Sequence, residues 1–109
     1  TFEYAAIGMG VIDLDLKWTR VNRSLCDLTG YTKAELIGMS YTDLVHPKDQ
    51  EKDTQQMQQL LNSQNENFMI EQRYLTKSGK VIWVNVSVGK VLESDGKFRQ
   101  LVKQIQDVT

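Results

Sequence analysis

The chain is poor in residues that staple, ligate or break structure. Its 109 residues include one cysteine, Cys26, one histidine, His46, and one proline, Pro47. A single cysteine cannot close an internal disulfide, which fits a reducing compartment. A lone histidine without cysteines or clustered carboxylates at ligand spacing gives no metal-binding pattern. A domain of this length buries roughly 60 to 70% of the surface its unfolded chain exposes, so it needs neither staple. Long apolar runs are also missing: nothing approaches the roughly 20 residues of a membrane span, and no basic-then-apolar leader opens the chain. Charge of one sign is not in excess, with 13 Lys plus Arg against 14 Asp plus Glu and no long runs of either. Without a basic stripe, neither nucleic acid nor direct contact with an anionic membrane is expected. Phosphate loops, nucleophile motifs and acidic clusters at metal spacing are absent as well, which argues against catalysis. The start at Thr1 and the stop at Thr109 after a strand-like run suggest one domain, residues 1–109, excised from a longer cytoplasmic protein, with a membrane anchor elsewhere in that parent left open.

What is present changes period twice. GMGVIDLD at 8–15 and KWTRVN at 17–22 read as a hairpin. Asn22 then caps a short helix over RSLCDLT, closed by Gly30, where a left-handed residue is favoured. Thr32 and Glu35 form a capping box for one further turn, and Ser40 with Asp43 opens another. The longest helix starts at Pro47, with Asp49 and Glu51 near the positive end of its dipole. Its apolar stripe is Met57, Leu60 and Leu61, and the glutamine-rich remainder is expected to face water. From Asn67 the period becomes two: NFMIEQRYLT, VIWVNVSVGKVL and KFRQLVKQIQDV are strands separated by turns at KSGK and ESDGK. Two strands, several short helices and three strands make an α+β domain with an antiparallel sheet covered on one face.

The order of FEYAAIGMGVIDLD, Asn22, LTGYTKAELIG, DLVHPKD, RYLTKSGKVIWVNVSV and the closing DVT resembles the PAS sensory domain family over nearly the whole chain. The resemblance implies a five-stranded antiparallel sheet in order 2-1-5-4-3, with short helices and one longer helix cupped over one face. The opening and the Trp83 region are similar to PAS domains placed before bacterial diguanylate cyclase (GGDEF) domains, and similar domains precede histidine kinases. It implies a sensor that dimerises and controls a covalently attached effector. A ligand-free dimerisation scaffold is the alternative, and a small cone-shaped enzyme the distant rival. That enzyme would need an inward carboxylate, and no Asp or Glu is expected to point inward: Glu71 falls on the outer face, and Asp43 reads as a cap.

Set against the family, the interior argues for some ligands and against others. The light-sensing flavin branch carries its reactive cysteine where this chain has Tyr41, and its flavin-binding amides where this chain has Tyr74, Val84 and Ile105. A LOV-type flavin is therefore not expected. Nor is histidine-ligated haem, because the long helix holds no histidine. Non-covalent FAD against Trp18, Tyr41, Tyr74 and Trp83 stays open, though core or interface packing is the simpler account of these aromatics. Strand parity turns Gln72, Tyr74, Val84, Lys103 and Ile105 inward, and with Tyr41 they are the candidate ligand contacts for a small molecule. Lys103 is expected to snorkel to the sheet's open end, the alternative being a ligand carboxylate. The outer face carries Met69, Leu75, Val81, Trp83 and Val102, with Phe2 and Tyr4 as local cover; this is the candidate surface for a second subunit or flanking helix. Asp107, Val108 and Thr109 match the family's junction to an output helix. Cys26, beside Leu25 and Leu28, reads as packing.

Overall fold

Glycines at alternate positions of the first strand let large side chains lie flat on the sheet. A Cβ on Gly10 would stand 2.3 Å from the Trp18 ring, so only glycine permits that contact. In a computed structural model describing all 109 residues, β1 (Gly8–Asp13) and β2 (Trp18–Val21) form the expected hairpin. Then follow α1 (Arg23–Thr29), α2 (Lys33–Leu36), a 3-10 turn (Tyr41–Leu44) and α3 (Pro47–Leu61). Three long strands complete the chain: β3 (Asn67–Leu75), β4 (Val81–Leu92) and β5 (Phe98–Asp107). The sheet is antiparallel in order β2-β1-β5-β4-β3, as the resemblance implied.

The caps of α1, α2 and α3 form as read from the sequence, whereas Ser40 makes no side-chain cap bond at the 3-10 turn and bonds the Thr42 hydroxyl instead. Asn22 accepts from Leu25 N–H, Gly30 takes the left-handed conformation at φ 78°, and Thr32 with Glu35 makes both bonds of a capping box. His46 Nδ1 accepts from Lys48 N–H at the start of α3. The stripe of α3 packs as expected through Met57, Leu60 and the half-buried Leu61, and the one correction is that Asp53 is buried with them.

Both outer strands are bridged by the helical segments. On β2, Trp18 N–H donates to Met39 and Trp18 C=O accepts from Gly38. On β3, Arg73 C=O accepts from His46 N–H, Val45 pairs with Tyr74, and Arg73 N–H donates to the Asp49 carboxylate at 2.8 Å. The apolar core lies between the helices and one sheet face and includes Trp18, Leu25, Leu36, Leu44, Met57, Tyr74, Val86 and Ile105.

Asn22 ties the N-terminal segment to this frame. Its Oδ1 accepts from Met9 and Leu25 N–H, and its Nδ2 donates to the carbonyls of Phe2 and Ile7. The residue is fully buried, so truncation strands backbone groups as well as removing a cap. Asn22→Ala should lower the unfolding free energy by about 3 kcal/mol in urea titration. A loss below roughly 1 kcal/mol, the size of a simple helix cap, would show that Asn22 does no more than cap α1.

Candidate functional site

Register decides what meets inside the sheet. Gln72 lies opposite Val84 across β3 and β4, and Val86 lies opposite Ile105. Lys103 lies between Val88 on one side and Gly10 on the other. Because Gly10 has no side chain, the Trp18 ring spreads over it, 5.7 Å from the Lys103 ammonium. Tyr41, at the start of the 3-10 turn, places its ring 4.0 Å from the same ammonium. All six inward residues read from the sequence are buried: Tyr41, Gln72, Tyr74, Val84, Lys103 and Ile105. Val84 and Ile105 contribute only apolar wall.

Two expectations fail here. Lys103 does not snorkel, being 0% exposed. And an acidic residue does point inward: Asp53 of α3 is also 0% exposed, and its Oδ1 accepts from Gln72 Nε2 at 3.1 Å. Asp53 precedes Met57 by four residues and Leu60 by seven, so it occupies the packed helical stripe. The spacing was available in the sequence, but a rule admitting only apolar residues to the stripe passes over it.

The resulting cluster is electrically mixed and incompletely paired. Burial pushes the Lys103 amine down to about 8, with the Asp53 charge opposing the shift. Tyr41 and Tyr74 are both held protonated, first by burial and then by the same carboxylate. Five buried atoms have no hydrogen-bond partner within the protein: Trp18 Nε1, Asp53 Oδ2, Gln72 Oε1, the Tyr74 hydroxyl and Lys103 Nζ. Each such group costs about 1–3 kcal/mol, a heavy burden for a domain whose whole stability is about 5–15 kcal/mol. The larger surface depressions lie elsewhere. One, of about 510 Å³, includes Phe2, Arg20 and Lys33 in its lining; another, of about 540 Å³, includes Ser24, Asp27 and Gln106. Neither touches any of the five atoms.

On the outer face Met69, Val81 and Trp83 are exposed, while Leu75 and Val102 are half-buried. Tyr4, 76% exposed, does not cover this face, whereas Phe2 stacks with Arg20, 4.3 Å from guanidinium to ring centroid, and Arg20 lies opposite Val11, which lies opposite Val102. Trp83 is separated from Trp18, Tyr41 and Tyr74, so these four aromatics make no common wall.

Trp83 instead belongs to a chain of contacts leading out from α3. Asp49, one turn before Asp53, grips Arg73 with both carboxylate oxygens at 2.8 and 3.0 Å, and that hydrogen bonding holds its carboxyl below the usual range. This forked, mostly covered pair outweighs exposed bridges such as Lys33 with Glu3, typically worth less than about 1 kcal/mol. The Arg73 guanidinium lies 5.3 Å from the Trp83 ring centroid. Trp83 N–H donates to Thr109 Oγ1 at 3.0 Å, and Trp83 C=O accepts from Val108 N–H. Asp107 accepts from Thr109 N–H, which holds its carboxyl low. The closing triplet is thus clasped to the strand that carries Trp83. Cys26 is half-buried against the core, and burial raises its thiol, as suits a packing residue.

The comparisons agree with this architecture. The PAS fold pattern matches residues 2–108. The chain belongs to the PAS family. It is 34% identical over 106 residues to the probable diguanylate cyclase DgcE of Escherichia coli K12, covering 97% of this chain and 10% of that protein. It is 28% identical over 108 residues to the sensor histidine kinase TmoS of Ectopseudomonas mendocina, covering 99% and 11%. The chain therefore spans about a tenth of the length of these relatives. The PAS domain of a Colwellia psychrerythraea protein superposes with a TM-score of 0.90 at 24% identity, covering 99% of this chain and 91% of that one. An RNA-binding light-oxygen-voltage receptor superposes at 0.88 with 20% identity, covering 99% and 31%, a likeness of fold alone. The chain is a sensory PAS domain, homologous to those of cyclase and kinase proteins, and contains no catalytic domain. No helix is long and apolar enough to cross a membrane.

Lys103 sets a pH dependence of known sign. Its amine titrates near 8 when folded and near 10.5 when unfolded, so between these values the unfolded chain binds more protons and stability rises with pH. The rise is up to about 3 kcal/mol at 1.36 kcal/mol per unit. Cys26, Tyr41 and Tyr74, all shifted upward, act in the opposite sense over pH 8 to 10.5. Denaturant titrations across this range should therefore show a positive slope in wild type relative to Lys103→Met. Parallel pH profiles would rule out a depressed Lys103.

Proposed function

We propose that this domain is the input module of a longer cytoplasmic signalling protein. A small ligand in the buried polar cluster shifts its conformations, a second copy pairs through the Met69, Val81 and Trp83 face, and a covalently attached diguanylate cyclase responds. The observation that carries the proposal is the double duty of α3. Asp53 enters the interior cluster while Asp49, one turn away on the same helix, grips Arg73, which stacks near the Trp83 that holds Thr109. A ligand that repositions Asp53 moves the anchor of this route, and the route ends at the closing Asp107, Val108 and Thr109. A ligand can bias two conformations only through different affinities for them, and unpaired groups in the closed interior supply that difference.

Similarity to the DgcE segment favours a cyclase as effector over the histidine kinase that similarity to TmoS suggests. The same proposal leaves out flavin photochemistry and haem. Cys26 sits on α1, away from the interior cluster, and His46 is engaged as the cap of α3. A ligand-free scaffold accounts for an apolar outer face but not for charged groups held unpaired in the core.

The route is tested in the parent protein with its effector attached, reading product formation. Lys103→Met should change effector output several-fold, and the change should vanish in an Arg73→Ala background while Arg73→Ala alone retains basal output. An equal response to Lys103→Met in both backgrounds would discard the Arg73 route, and no response in either would discard the sensory reading.

A further inference from the structure

The five unpaired atoms also specify what kind of molecule completes them. Two are obligate donors, Lys103 Nζ and Trp18 Nε1. Two are acceptors, Asp53 Oδ2 and Gln72 Oε1, and the Tyr74 hydroxyl can serve either way. A simple anion would satisfy Lys103 and Trp18 while bringing a second negative charge against Asp53. A simple cation would satisfy Asp53 and Gln72 while facing the Lys103 ammonium. Each combination leaves a like-charge contact in a water-poor interior, where such contacts are most costly. A molecule carrying both charges avoids the conflict.

We infer that the interior cluster is a receptor for a small zwitterion, a free amino acid. Its carboxylate accepts from Lys103 Nζ and Trp18 Nε1, and its ammonium donates to Asp53 and Gln72 Oε1. Tyr74 closes the set from the sheet side. Tyr41, whose ring faces the Lys103 ammonium at 4.0 Å, holds that cation in place. The inference rests on the proposed sensory reading and narrows it. Every contact residue is 0–1% exposed, so binding requires the site to open. The element that must shift is α3, whose buried contacts are Asp53, Met57 and Leu60, with Leu61 at the edge of the core and Asp49 and Gln50 bonded to Arg73 and to the carbonyls of Thr42 and Val45. Asp53 is thus both a contact for the ligand's ammonium and one of the three buried residues that seat the helix. Binding adds the ligand's ammonium at Asp53 Oδ2 and Gln72 Oε1 beside the existing Gln72 Nε2 to Asp53 Oδ1 bond, which couples occupancy to the position of α3.

The test is a thermal-shift and calorimetric screen of the purified domain against the proteinogenic amino acids and β-alanine, each beside its half-molecules: acetate and propionate for the acid, methylamine and ethylamine for the base. At least one zwitterion should raise the melting temperature by a few degrees while the half-molecules leave it unchanged. Asp53→Asn and Lys103→Met should each weaken that zwitterion at least tenfold, the scale expected when a buried charge partner is lost. If either variant fails to fold, the pair Asp53→Leu with Lys103→Met removes both charges together and serves as the non-binding control. A carboxylate or amine alone that stabilises as well as the zwitterion overturns the amino-acid assignment and leaves the interior ligand site standing. No shift with any amino acid also overturns the assignment. Whether the sensory reading falls with it is decided separately by the effector response to Lys103→Met.

Discussion

Two opposite charges buried under one helix organise this domain. Lys103 sits at the centre of the sheet on β5, and Asp53 descends toward it from α3. Neither charge reaches water, so each depends on groups from other elements: Trp18 on β2, Tyr41 on the 3-10 turn, Gln72 and Tyr74 on β3. An apolar filling of similar volume would commonly be as stable or more so. Stability alone therefore does not account for the charges, and they leave a core that a bound charge or a shift in protonation perturbs easily.

The helices divide this work unequally. α1 and α2 are short, firmly capped, and fixed to the N-terminal segment through Asn22. α3 is longer and held at more points: Asp53, Met57 and Leu60 are buried, Leu61 packs at the edge of the core, Gln50 donates to the carbonyls of Thr42 and Val45, and Asp49 grips Arg73 at the sheet edge. Two of these attachments are carboxylates one helical turn apart, one inside the core and one at its margin.

Much of this was legible in the sequence and some was not, for identifiable reasons. The five strands, their turns and the helix caps follow from short-range rules: period-two alternation, Gly30 after a short helix, the Thr32 and Glu35 pair, and Pro47 at a helix start. Strand parity placed Gln72, Tyr74, Val84, Lys103 and Ile105 correctly on one face, because a strand's alternation survives whatever the side chain is. Asp53 was missed because a charged residue on a glutamine-rich helix is ordinarily solvated, and its burial depends on Lys103, fifty positions later in the chain. Lys103 was misjudged for the mirror reason, since its cover comes from Trp18, Tyr41 and Asp53 on three other elements.

The bridging of the outer strands bears on how such a domain can meet another. At Trp18 on one flank and at Arg73 and Tyr74 on the other, the chain's own loops already occupy the hydrogen-bonding positions that an incoming strand would need. Lengthening the sheet at these places by borrowing a neighbour's backbone is blocked. Strand addition is thereby confined to the unbridged stretches of the two edges, such as Asn67 to Glu71 of β3.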